Sequence, residues 1–170
     1  MRIGMTLTML LVFTLAGLSQ ENDIDKAKEA IEDFKKVDAS IGHLFDTAYG
    51  YAVLPAIGKG GIGIGGAGGK GTVFKEGEPV ADVKMSQVTV GFQLGGQKYA
   101  EVIFFEDKRA FDRFVEQDFE FAAQVSAVAL TSGVSADAKY VDGVLVFTQA
   151  LGGLMYEASV GGQKFKVEMY

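Results

Sequence analysis

The densest concentration of chemistry-bearing positions is the run from Gly58 to Gly71, where Lys59 and Lys70 stand among closely spaced glycines. Within it Gly61, Gly63 and Gly66 spell a formal G-x-G-x-x-G. That spacing cradles a pyrophosphate only where a strand precedes it and a helix N-terminus follows, so that backbone amides point at the anion. Here Thr72-Val73-Phe74 follow, which predict a strand, and Lys70 precedes Gly71 where a phosphate loop needs Ser or Thr. No nucleotide site is expected. Glycines at alternate positions instead leave one strand face bare, so that another backbone, or the sheet's own curvature, can come close.

The rest of the sequence is thin in catalytic equipment. It has no Cys and a single His, His43, which removes thiolate zinc sites, cysteine nucleophiles and any metal site needing two imidazoles. His43 falls near the end of a predicted helix, where a lone imidazole ordinarily serves the helix dipole. Asp82, Asp137, Asp142 and Glu157 are scattered without a spacing that pairs two carboxylates. Ser126, Ser132, Ser135 and Ser159 lack a nucleophile elbow. The sequence predicts no enzyme and no cofactor. A net charge of −6 argues against nucleic acid as a partner.

The elements that position these residues can be read from periodicity. At 170 residues the chain has room for one domain with a sizeable core. From Glu21 to about Phe45 the apolar residues Ile24, Ala27, Ile31, Phe34, Ile41 and Phe45 recur at helical spacing, with an acidic polar face between them. After Thr47 the period becomes two. Ile62 and Ile64 alternate with glycines, and Val88, Val90, Phe92 and Leu94 alternate with polar residues, which predicts strands burying those apolar faces. Further strands are expected over residues 72–74, 80–85, 99–105, 119–130, 144–148, 154–160 and 165–169. Turns are expected at residues 76–79 and at Gly161-Gly162. A short helix fits residues 107–117, with Ala110, Phe111, Phe114 and Val115 as its apolar stripe. The fold class is α+β: a strongly bent antiparallel sheet or partly closed barrel, with an N-terminal amphipathic helix and one inserted helix. A transmembrane barrel is disfavoured, because the acidic leading helix has no natural place in one.

Residues 1–19, one Arg followed by a short apolar run ending in Gly17-Leu18-Ser19, read as a signal peptide cleaved before Gln20. No Cys stands there to carry a lipid anchor. Removing Arg2 with the leader takes the net charge to −7, and the expected product is periplasmic or secreted. Residues 20–170 then form a single domain, a leading helix over 20–46 and a strand-rich body over 47–170.

Four blocks in order resemble the SYLF lipid-binding domain family. They are residues 48–66 (AYGYAVLPAIGKGGIGIGG), 90–97 (VGFQLGGQ), 104–114 (FFEDKRAFDRF) and 152–162 (GGLMYEASVGG). The resemblance covers nearly all of residues 20–170. It implies binding of phospholipid, phosphoinositides in particular in eukaryotic members, with actin filaments as a further partner of some relatives, and no catalytic activity. Actin is not expected as a partner in an exported bacterial member. At motif positions, Lys59, Lys70, Gln93, Gln97 and Lys98 have chemistry suited to a headgroup: lysine meets phosphate as a point charge, and Gln can hydrogen-bond its oxygens. Gly60, Gly61, Gly63, Gly65 and Gly66 are the glycines expected to allow close backbone approach. The resulting expectation is a non-enzymatic exported module binding a phospholipid headgroup or membrane surface. The alternative is an envelope protein-interaction or structural module with no lipid role.

Overall fold

In a computed structural model the protein is described over residues 4–91, 96–116, 118–122, 125–152 and 160–170, by backbone alone at 4–19, 62–63, 90–91 and 152. Helix α1 spans Gly4–Val37, and its Ala27, Ala30, Ile31 and Phe34 are buried at three- and four-residue steps. The expected helix to residue 46 is broken at Asp38. That residue leaves helical geometry (φ −139°, ψ 101°) and its carboxylate accepts from the Ser40 amide, starting a 3-10 turn over Ala39–Ile41. A short helix α2, Gly42–Thr47, follows.

Three long strands make the body: β1 (Gly50–Lys75), β2 (Glu78–Gly91) and β3 (Gln97–Phe105). Glu76 and Gly77 join β1 to β2 with φ of 53° and 81°, a two-residue turn whose twist suits antiparallel neighbours. Helix α3 (Lys108–Val115) is capped by the Asp107 carboxylate on the Ala110 amide. Short strands β4 (Phe119–Glu120) and β5 (Val128–Ala129) replace the continuous strand expected over 119–130. Alternation in that stretch reflects apolar residues such as Phe121 and Leu130 entering the core from irregular backbone. Strands β6 (Val144–Gly152) and β7 (Lys164–Met169) complete the order β4-β7-β2-β1-β3-β6-β5. All pairs are antiparallel except β5 with β6. The mixed sheet curls into a half-barrel, with β4 and β5 as its edges among the described residues. The strand expected over 154–160 lies largely outside the described residues.

Both faces of the sheet's centre are covered. One carries Ala52, Leu54, Ile57, Tyr99, Ile103 and Phe105, together with Phe111 and Phe114 of α3. The other packs Tyr51, Val53, Ala100, Val102 and Phe104 against Ala27, Ile31 and Phe34 of α1. Strand β3 is therefore buried on alternate residues and on the residues between them, as a central strand must be.

The glycine run acts on the course of β1. Its first part, Gly50–Lys59, pairs with β3, and its second, Gly63–Lys75, pairs with β2. Between them Gly61 adopts φ +139°, and the strand turns back towards itself. A Cβ on Gly65 would lie 2.5 Å from the Gly60 carbonyl oxygen, one on Gly69 would lie 2.8 Å from that of Ala56, and one on Gly71 would lie 2.8 Å from the Val53 carbonyl carbon. The bare face thus lies against β1's own first part. The partner face differs from expectation: Ile64 is 74% exposed and Val88 is 77% exposed. The buried residues of β2 are Ala81, Val83, Met85 and Gln87, of the opposite parity to Val88, because that parity faces the half-barrel interior.

Candidate functional site

At the end of the β1–β3 ladder, Lys59 stands opposite Gln97, and Gly58 opposite Lys98. Alternation from the buried pair Ile57–Tyr99 puts Lys59 and Gln97 towards the concave side and Lys98 towards the other. With Gly96 these residues line an open hollow of about 500 Å³. A Cβ on Gly58 or Gly60 would meet nothing within 4 Å, so bare backbone borders this opening. Lys59 is half-buried and Lys98 exposed. Among the described residues neither lies in an ion pair, whereas Lys26, Lys35, Lys36, Lys84, Lys108 and Lys164 all do. The two lysines, one towards each side of the ladder, border bare backbone that is open to solvent.

Lys70 belongs elsewhere. It is paired with Lys84 in the β1–β2 ladder and lines a separate groove of about 310 Å³. Asp23, Asp82 and Glu168 share that groove, and Lys84 lies 3.7 Å from Glu168. Three carboxylates oppose an anion there. The structure therefore brings Lys59, Gln97 and Lys98 together and sets Lys70 apart. Gln93 lies outside the described residues. Of the glycines, Gly60, Gly61 and Gly65 form the bend, Gly63 pairs with Gly91, and Gly66 pairs with Val88. No helix follows the G-x-G-x-x-G, since β1 runs on to Lys75, so the amides required for a pyrophosphate are engaged in strand pairing. His43 is exposed, with Nδ1 2.9 Å from the Ser40 carbonyl oxygen.

Two features escaped the sequence reading. The outward face of the β1–β2 ladder carries Ile64, Gly66, Gly68 and Lys70 on one strand and Val88, Ser86 and Lys84 on the other, apolar at one end and cationic at the other. A buried polar cluster around Asp38 joins α1 to the 3-10 turn Val134–Asp137: Asp38 accepts from the Ser135 amide (2.9 Å), the Ser135 hydroxyl (2.6 Å) and the Ser40 amide (3.0 Å). Burial works to raise the Asp38 carboxyl. The hydrogen bonds from Ser135, Ser40 and the Gly133 backbone outweigh it and hold the group well below the usual carboxylate range.

Comparison with known proteins adds the family. Residues 86–169 match the family model described as Ysc84, Las17-binding protein actin regulator. The chain is 32% identical over 134 residues to Beta cell expansion factor A of Aeromonas veronii, an alignment covering 74% of this chain and 48% of that protein. The chain thus spans about half the length of that relative.

Proposed function

The chain carries a Ysc84 (SYLF) domain, and on that premise we propose that it is a non-enzymatic, exported module that binds the surface of a phospholipid membrane. The observation that carries this reading is the exposure of Ile64 and Val88, with the open hollow lined by Lys59 and Lys98 as a second feature. Two large apolar side chains left in water on one rung-and-diagonal of a sheet gain free energy by entering a hydrocarbon boundary. Lys59 and Lys98, which lie in no ion pair among the described residues, can meet phosphate at the headgroup level. Binding is local in this scheme, because a net charge of −6 repels an anionic surface at long range.

Co-sedimentation with liposomes of phosphatidylcholine, with and without phosphatidylinositol phosphates, tests the reading. Each lysine near an anionic surface is worth about 1 kcal/mol, so K59Q/K98Q should weaken binding roughly 30-fold. K70Q should change it little, since Asp23, Asp82 and Glu168 surround that position. I64S/V88S should weaken binding to neutral and anionic liposomes alike. Failure of the wild-type protein to bind either liposome would give way to the envelope interaction module. Cell fractionation, with intact mass of the released protein, tests export and a mature start at Gln20.

A further inference from the structure

The run Tyr99–Phe105 of β3 is apolar except for Glu101, and Glu101 is completely buried. Its Oε2 accepts one hydrogen bond, from Gln163 Nε2 at 2.9 Å, and its Oε1 has no partner among the described residues. The same Gln163 nitrogen reaches the Tyr99 hydroxyl at 3.3 Å. Gln163 Oε1 and Thr148 Oγ1 are likewise buried and unpartnered among the described residues. Thr148 stands directly opposite Glu101 on β6. The groups facing the carboxyl are therefore Leu54 from β1, Thr148 from β6, Gln163 from the turn before β7, and Tyr99 from its own strand. None of them is a cation, and Tyr99, the titratable one, is held neutral by burial and by Glu101. Glu101 Oε1 and Gln163 Oε1 are thus acceptors that receive no hydrogen among the described residues, the Thr148 hydroxyl bonding to neither, and a proton on Glu101 relieves the burial of an unsatisfied carboxylate oxygen.

Gln163 ends the turn at residues 160–163, which plugs the half-barrel. Val160 is fully buried, the Gly162 amide donates to Phe121 O (2.9 Å), the Phe121 amide donates to Gln163 O (3.0 Å), and Gln87 Nε2 donates to Gly161 O (2.9 Å). We propose that Glu101 is a proton-operated latch: neutral, it fastens Gln163 and the turn at 160–163 into the half-barrel; ionised, it releases them. A carboxylate in this site has no counter-charge among the described residues, and it regains water only if the turn that covers it lifts away. Burial accordingly pushes the Glu101 carboxyl up to about 7, against an ordinary value of 4.5, with the Gln163 hydrogen bond opposing the rise. In the closed form the proton is held up to near neutrality; in the open form it leaves at the ordinary value. The open population therefore rises with pH between those values and levels off above the higher one.

Amide hydrogen exchange, read by NMR as protection factors at Phe121, Gly162 and Gln163 from pH 5 to pH 8, tests the latch. Opening in the wild-type protein should rise roughly tenfold per pH unit between about pH 5 and 7 and flatten above. Amides of the β1–β2 ladder should stay better protected than these three at every pH, because they exchange only through fuller unfolding. Glu101→Gln cannot ionise and should remove the slope. A wild-type profile without slope, or the same slope in Glu101→Gln, would overturn the proposal. Infrared spectra of the wild-type protein give a readout that needs no variant. A protonated-carboxyl stretch should persist at pH 6, where ordinary carboxylates are ionised, and vanish by pH 8. Its absence at pH 6 would equally overturn the latch.

Discussion

Gly71→Ala is the sharpest perturbation that the folded-back strand allows. The added methyl carbon would lie 2.8 Å from the Val53 carbonyl carbon and 2.9 Å from Leu54 Cα, with Val53 O nearer still. All three are backbone atoms of a buried stretch, so no side chain can swing aside to make room. Relief requires the two parts of β1 to separate, and overpacking of this kind costs about 1–3 kcal/mol. Restricting the unfolded chain gives back about 0.4–1 kcal/mol, so the net effect is destabilising. Gly68→Ala is the internal control. It lies on the same strand with an ordinary φ, and its methyl would sit 3.5 Å from Met85 O, a normal contact. Only the unfolded-state gain remains there, so the variant should be neutral or slightly stabilised. Urea unfolding followed by circular dichroism separates the two. With a slope of about 2 kcal/mol per molar, Gly71→Ala should lower the midpoint by up to about 1 M, while Gly68→Ala should leave it unchanged or raise it. Equal midpoints for the two variants would refute the claim that the glycine face exists to admit β1's own backbone.

Two predictions concern buried carboxyls. Asp38→Ala leaves the Ser135 amide and the Ser40 amide without their acceptor, and it should cost about 2–4 kcal/mol in urea unfolding; a change under 0.5 kcal/mol would remove this cluster as the tie between α1 and the turn at Val134–Asp137. The pH profile of stability should peak at mildly acidic pH, near 4–5, because the two groups act in opposite directions. Asp38 is held below its ordinary 3.8, so its contribution is present above that value and lost as pH falls beneath it. Glu101 is raised from 4.5 to about 7, so its contribution is present below 4.5 and declines as pH rises through 7, by on the order of 3 kcal/mol. Melting temperatures across pH 3–9 check both limbs, and Glu101→Gln should abolish the alkaline one alone.

Elements whose cause is local were legible in the sequence. Ala27, Ile31 and Phe34 mark α1, Asp107 and the stripe at Ala110, Phe111 and Phe114 mark α3, and Gly77 marks the turn between β1 and β2. The break at Asp38 was not legible. Ile41 and Phe45 continue the helical spacing past it, and part of what holds Asp38 out of the helix is Ser135, 97 residues further along the chain. The candidate site divides in the same way. Lys59 and Lys70 stand in equivalent surroundings along the sequence, each beside glycines. The bend at Gly61 sends them to different ladders, the one opposite Gln97 and the other opposite Lys84. Which lysine shares a hollow with Lys98 depends on non-local pairing, and spacing carries no record of it.

The exposure of Ile64 and Val88 follows from which glycines meet backbone, and the sequence alone does not say which, since Gly66 and Gly68 stand on the opposite parity to Gly65, Gly69 and Gly71. Apolar alternation alone is ambiguous in β2, since Val83 and Met85 occupy one parity and Val88 the other. The glycines that meet backbone break the tie. Gly65, Gly69 and Gly71 share a parity in β1, and a face without side chains is needed only where another backbone comes within contact distance. That face must therefore be the covered one. Ile64, Gly66, Gly68 and Lys70 then point away from it, and antiparallel register carries Val88, Ser86 and Lys84 to the same outer side. Two large apolar residues consequently stand in water for want of anything within the described fold to cover them, and their hydrophobic character does nothing for the core. In a strand so rich in glycine, apolar side chains kept on the uncovered parity are more economically explained by an external apolar surface than by folding. If the liposome experiments remove that explanation, Ile64→Ser and Val88→Ser should still leave the urea midpoint unchanged, because neither side chain loses a buried contact on substitution.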